Sequence, residues 1–172
     1  ISVVKKNHSF DMSFFYRNQK NIIDWIKTDF VDQTRDSVPW KARNIEKNDI
    51  GGFELFHCFK GENVTLKTGI EKLFVSNHQC GFISKYGLQF PDFSINSNFI
   101  YRFSKNIGLV VNYLFKKLYQ SEESGHFLNL VFGFHIKKIE FRIRIENVFN
   151  SIIEEIPGVK VPGRWIYFSF IY

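Results

Sequence analysis

The chain has 172 residues, enough for one domain with a sizeable buried surface. Hydrophobics make up 44% and aromatics 18%, with 21 Phe, and no apolar run approaches the ~18–20 residues of a membrane-spanning helix, so a membrane, if crossed, is crossed by strands. The net charge is +6, with Lys and Arg spread along the chain rather than gathered into a patch, which argues against nucleic acid as a partner.

The chain begins Ile1-Ser2-Val3-Val4-Lys5-Lys6, without an initiator Met or a signal peptide's apolar region, and is expected to be a piece of a longer protein. Phe10, Met12, Phe14 and Tyr16 alternate with Asp11, Ser13, Phe15 and Arg17, a period of two that predicts a first strand running on through Ile22-Ile23-Asp24-Trp25-Ile26. After a polar loop ending at Pro39-Trp40, a second strand is expected from about Asn44 to Cys58 and a third from Val64 to about Val75. Gly51-Gly52 lacks any phosphate-loop pattern and reads as a bend or bulge. Cys58 and Cys80 fall at opposite ends of this hairpin, beyond disulfide reach.

Four tidier strands follow a polar segment at 76–91. Phe93 to Phe103, Ile107 to Phe115, Leu128 to Ile136 and Ile139 to Glu146 each alternate apolar with polar residues. In the last of them every odd position is apolar and every even one charged: Glu140, Arg142, Arg144 and Glu146. Turns follow at Pro157-Gly158 and Pro162-Gly163, and a closing strand puts Ile166, Phe168, Phe170 and Tyr172 on one face. The total is about eight strands, most near the ~10 residues a tilted membrane strand needs.

The connections alternate without exception. Those at 60–63, 105–106 and 137–138 are short, whereas those at 28–43, 76–91, 120–125 and 149–163 are long. Outer-membrane barrels pair short periplasmic turns with long outer loops in this way. A soluble barrel would place its apolar side chains inward. Periodicity cannot assign the faces, but bulk can: so many large apolar groups on consecutive strands would overfill a small barrel, whereas lipid accepts them. The charged face, with Arg102, Lys116, Glu140, Arg142, Arg144 and Glu146, then needs a wet or protein-filled lumen.

Glu146-Asn147-Val148-Phe149-Asn150, then Ile156-Pro157-Gly158-Val159, Pro162-Gly163-Arg164 and a terminal aromatic strand resemble the end of TonB-dependent outer-membrane receptors. Further upstream, Ile22-Ile23-Asp24-Trp25-Ile26, Trp40-Lys41-Ala42-Arg43-Asn44-Ile45, Gly52-Phe53-Glu54-Leu55 and Ser84-Lys85-Tyr86 fall in the order seen in the cobalamin-receptor-like branch of that family. The resemblance implies an all-β fold, an antiparallel transmembrane segment of a twenty-two-stranded barrel that encloses a plug domain. It further implies active uptake of an iron chelate or cobalamin, energised by the inner-membrane TonB complex through an N-terminal part. On this reading residues 1–172 are the C-terminal section of such a receptor, in the bacterial outer membrane, without plug, N-terminal strands or energy-coupling box. The rival readings are a complete eight-stranded outer-membrane barrel and a soluble lipocalin-like binder.

No catalytic constellation or cofactor motif stands out, so an enzyme is not expected. The five histidines show no i,i+4 pairing, which argues against a metal site, and Glu122-Glu123 and Glu154-Glu155 read as solvated loop carboxylates. The Glu140–Glu146 face is either a ladder of cross-strand ion pairs or a docking face for the plug. Trp25, Trp40 and Trp165 suit interface anchoring, and Trp40 is the one candidate for substrate contact. Lys27, Arg35, Lys41, Arg43 and Lys85 are loop cations that would meet lipopolysaccharide phosphates or water, and outer-membrane lipid is the expected partner of the apolar face.

Overall fold

A computed structural model describes residues 1–28, 39–77, 81–88, 90–119 and 123–172. Among these the chain forms strands β1 (Ser2–Lys5), β2 (His8–Lys27), β3 (Lys41–Lys60), β4 (Val64–Asn77), β5 (Ile83–Ser84), β6 (Pro91–Ser104), β7 (Ile107–Leu118), β8 (Ser124–Ile136), β9 (Ile139–Glu146), β10 (Glu154–Ile156), β11 (Val159–Lys160) and β12 (Trp165–Ile171), and no helix. One antiparallel sheet runs β1-β2-β3-β4-β6-β7-β8-β9-β12, while β5 adds to the end of β2 and β10–β11 form a separate hairpin. Each strand on the main path lies beside its chain neighbour, an up-and-down wall.

The eight long strands expected from alternation are all present, and β1 is a ninth that alternation did not reveal because its four residues are too few to show a period. It pairs with the start of β2 through a turn at Lys6-Asn7, from Ser2 opposite Asp11 to Lys5 opposite His8. The free edge on that side is therefore β1, where alternation placed it at Phe10–Arg17. β1 and β12 are the ends of the sheet order and are not paired with each other, so the wall is open and is not a closed eight-stranded barrel.

Register decides which side chains share a face. Phe141, Ile143 and Ile145 of β9 stand opposite Phe170, Phe168 and Ile166 of β12 and opposite Phe134, Phe132 and Leu130 of β8. That row continues through Leu109 and Val111 of β7, Tyr101 and Phe99 of β6, Val64 and Leu66 of β4, and Phe59 of β3. On β4 this face carries Val64, Leu66, Ile70 and Phe74, with Lys72 between the last two; from Val64 to Phe74 is ~33 Å of strand at ~3.3 Å per residue, or ~25 Å of height at a ~40° tilt, the height of a membrane barrel's belt. Thr68 and Ser97, cross-strand partners on this face, lie with their hydroxyls 3.4 Å apart.

The opposite face carries the polar set. Asn98 Nδ2 donates to Asn112 Oδ1 at 2.5 Å, and Glu71, Arg102, Lys116 and the β9 charges lie on the same side. Pairing runs through Gly51-Gly52 without any shift, so these glycines form no bulge. Gly52 is instead a seat: a Cβ there would lie 2.7 Å from the Phe15 ring across the strand pair, so only glycine lets that ring lie down.

The buried core is small and lies at the end of the long connections. Ile26, Ile45, Phe82 and Leu88 close together there, with Ile22, Phe90 and Tyr119 packed round them, and the Phe90 and Tyr119 rings stack at 5.5 Å. β2 and β3 are 20 residues each, about twice what a membrane crossing needs, and their surplus halves carry this cap.

Candidate functional site

Three of the upstream motifs, sixty residues apart in the chain, meet around one carboxylate. Ile22, Asp24 and Ile26 share a strand face, which seats Asp24 beside the small core, where it is 4% exposed. Its Oδ1 accepts from Trp25 N at 2.7 Å, and its Oδ2 accepts from Gly87 N at 2.8 Å and from the Ser84 hydroxyl. Ser84 Oγ in turn accepts from Leu88 N at 2.9 Å, and Lys85 N donates to Trp25 O at 2.8 Å. A buried carboxylate left without donors is strongly destabilising, and here the loop after β4 supplies them. Asp24 thus ties residues 84–88 onto the end of β2, with β5 as the short ladder that aligns them.

Trp40 sits at the rim of this cap. Lys27 Nζ lies 4.9 Å and Lys85 Nζ 5.5 Å from its ring centroid, and Lys85 Nζ is also 5.2 Å from the Tyr86 ring. The three motifs therefore build a cationic, aromatic surface out of residues 27, 40, 85 and 86. Trp25 and Trp165 stand about half exposed, Trp165 stacked on Tyr167 at 6.2 Å. Arg35, Cys80, Glu122 and His78 lie outside the described residues.

The C-terminal motifs also meet. Asn147 and Asn150 hold φ of 50° and 53°, the left-handed region that Asn tolerates better than most residues. Asn147 is 6% exposed; its Nδ2 donates to Ser151 O and Pro162 O, both at 2.9 Å, and its Oδ1 accepts from Ser151 N at 2.9 Å. Asn150 Oδ1 accepts from Arg164 N at 2.9 Å and would lie 2.8 Å from a Cβ at position 163, which explains glycine before the arginine. The two asparagines of the first motif thus clamp both feet of the 151–164 connection. At its tip Pro157-Gly158, with Gly158 at φ 83°, turns β10 into β11, so Glu154 and Glu155 lie on a short hairpin where a plain loop was expected.

The charged face opens into two hollows. One, of about 400 Å³, is lined by Arg102, Asn106, Gly108, Gly133, Glu140 and Arg142; the other, of about 510 Å³, by Val131, Arg142, Arg144, Glu146, Tyr167 and Ser169. Gly108 and Gly133 are cross-strand partners, so the floor of the first has no side chain over it. Among the described residues the ion pairs of this face run mainly along β9 and form no cross-strand ladder: Arg142 Nε to Glu140 Oε1 at 2.5 Å and Arg144 to Glu146 at 2.6 Å, with only His135 to Glu140 at 3.6 Å crossing strands. Residues i and i+2 on a strand share a face, which makes this geometry available, whereas the ladder reading called for pairs between strands. Lys116 lies apart from this group, at the loop end, with Glu155 beside its ammonium and the Phe127 ring at 5.1 Å. Cross-strand register also joins His8 and His57, whose ring nitrogens are 3.0 Å apart; a search for i,i+4 spacing does not find such a pair.

No protein-family model matches the chain, and no curated protein matches it by sequence. Solved structures do match it. The siderophore receptor PirA from Acinetobacter baumannii superposes with a TM-score of 0.70 at 15% identity, over 98% of this chain and 30% of that one. The ferric enterobactin receptor PfeA from Pseudomonas aeruginosa, in a mutant bound to enterobactin, gives 0.67 at 13% identity, over 98% and 30%. The FrpB iron transporter from Neisseria meningitidis gives 0.67 at 13%, over 98% and 29%. The chain therefore spans about 30% of the length of the structures it matches. Its all-β, up-and-down fold is that of a section of these receptors, as the resemblance of its motifs implied.

Proposed function

We propose that this chain supplies wall and loops to an outer-membrane, TonB-dependent receptor that takes up a scarce nutrient, and performs no chemistry of its own. The observation that carries the reading is the superposition of 98% of the chain on receptors for siderophores and iron, with a long apolar row on one face of the sheet and the hollows opening on the other. An iron chelate is favoured over cobalamin, because the structures matched are named for siderophores, ferric enterobactin or iron. Trp40 between Lys27 and Lys85 suits an anionic, ring-bearing chelate.

Residues 1–172 would then be a C-terminal barrel section, with β1 and β12 as edges that neighbouring strands complete, since unpaired edges in lipid are prohibitive. The apolar face would meet outer-membrane lipid, and lipopolysaccharide would lie against the loop cations. Arg102, Glu140, Arg142, Arg144 and Glu146 would face a plug domain, and Lys116 the loop side of the same lumen. The TonB complex would act through an N-terminal part.

Deleting the encoding gene and supplying ferric siderophores under iron restriction tests this. The expected result is loss of radio-iron uptake, restored by the intact gene and weakened by Trp40→Ala. Unchanged uptake, with the protein in the soluble fraction, would remove the reading. Arg142→Glu with Arg144→Glu should impair uptake or plug retention, and normal behaviour there would count against plug docking alone.

A further inference from the structure

The geometry points to the short-turn end of the wall as a contact surface for anionic phospholipid headgroups. This rests on the membrane reading above. The turns joining β1 to β2, β3 to β4, β6 to β7 and β8 to β9 all lie at that end, and with their flanking residues they carry Lys5, Lys6, Lys60, Lys105, Lys137 and Lys138 against a single acid, Glu62. All six lysines are exposed, and among the described residues none of them joins an ion pair. At the other end three lysines find acids within the chain: Lys47 with Asp49 at 3.0 Å, Lys72 with Asp92 at 2.8 Å, and Lys116 with Glu155. Six like charges on one rim repel one another, and within these turns only Glu62 is there to offset them, so most of the neutralising charge must come from outside.

Two further observations narrow the source. The first is position: the lysines border the apolar face directly, with Phe10, Phe103, Ile107 and Ile136 exposed beside them. That places ammonium groups one step beyond the greasy belt, at the depth of phosphate esters. The second is backbone strain. Lys6 and Lys137 open their turns at φ of 49° and 56°, where glycine is the usual residue of a two-residue hairpin. A lysine at such a position, in two separate turns, adds nothing to the turn that glycine would not, and what it does add is charge.

The test uses the full protein as its gene encodes it, reconstituted into phosphatidylcholine vesicles containing a minor fraction of spin-labelled phosphatidylglycerol or spin-labelled phosphatidylcholine. The immobilised fraction of each label reports which lipid the protein prefers. Wild type should favour phosphatidylglycerol by about five-fold, the factor one lysine supplies beside an anionic surface, and lose most of that preference at high salt. Substituting Lys5→Gln, Lys6→Gln, Lys60→Gln, Lys105→Gln, Lys137→Gln and Lys138→Gln together should abolish it. The same positions as Lys→Arg should keep it, and Lys41→Gln with Lys85→Gln at the loop end should leave it unchanged. If the glutamine variant does not fold, the arginine variant and the salt series on wild type still decide. A protein that enters vesicles without headgroup preference, or whose preference survives the glutamine substitutions, overturns the inference and leaves the membrane reading standing. A protein that stays soluble and binds no vesicle removes both.

Discussion

At the end of the wall where the long connections lie, Asp24 takes hydrogen bonds from Trp25, Ser84 and Gly87, Asn147 holds Ser151 and Pro162, and Lys72 meets Asp92. At the short-turn end, six exposed lysines stand outside any ion pair among the described residues, with Glu62 the one acid in their turns, and two of them sit on strained backbone. The strands between are the same strands, so the difference is not one of fold. One end uses its polar groups to hold a folded cap in place. The other leaves them pointing outward, which is what a surface does when its partner is something else.

That contrast can be broken by removing one group at a time, and the largest effect is expected at Asp24. Asp24→Ala leaves three donors in or beside a buried pocket and should cost the cap about 3–5 kcal/mol. Hydrogen exchange should show amides 84–88 losing protection while those of the four short turns do not change. Asn147→Ala should cost about 2–3 kcal/mol by stripping three side-chain hydrogen bonds from the foot of the 151–164 connection. Faster proteolysis within that connection is the measurement, and Asn147→Gly should recover only the part due to backbone conformation. Gly163→Ala forces a methyl group against Asn150 Oδ1 and should cost about 1–2 kcal/mol, read from the same cleavage rates.

The short-turn end should respond with the opposite sign. Lys137→Gly relieves a φ of 56° and should stabilise the protein by about 1 kcal/mol in urea unfolding from detergent micelles. A stabilising change that removes a charge is not expected at Asp24, Lys72 or Lys116 of the loop end, where each has a partner to lose. If Lys137→Gly is instead destabilising, the lysine has a structural partner and the two ends are more alike than described.

What was legible beforehand follows the reach of each interaction. A strand declares itself locally, so β9, with Glu140, Arg142, Arg144 and Glu146 alternating against Phe141, Ile143 and Ile145, could be read residue by residue. Turn lengths are local too, which is why the alternation of short and long connections survives in the structure and gains one more short turn at Lys6-Asn7. The cap was not legible, because Asp24 and Ser84 are sixty residues apart and neither has a pattern around it. Motif comparison did flag both stretches, but only as strings. That Asn150 and Gly163 are complementary, one needing a close neighbour without a side chain, appears only when the two are brought together. The same holds for Gly52, whose role under the Phe15 ring is invisible until β2 and β3 are aligned.

The clamp formed by Asn147 and Asn150 has a practical consequence. It fixes the entry and exit of the 151–164 connection independently of the hairpin at its tip, so Pro157-Gly158 hangs from two anchored points. Foreign peptide spliced there would add length to an excursion whose ends are already fixed, at an entropic cost that rises only slowly with length. That apex is therefore the place to carry an epitope or affinity tag while the strands beneath remain as they are.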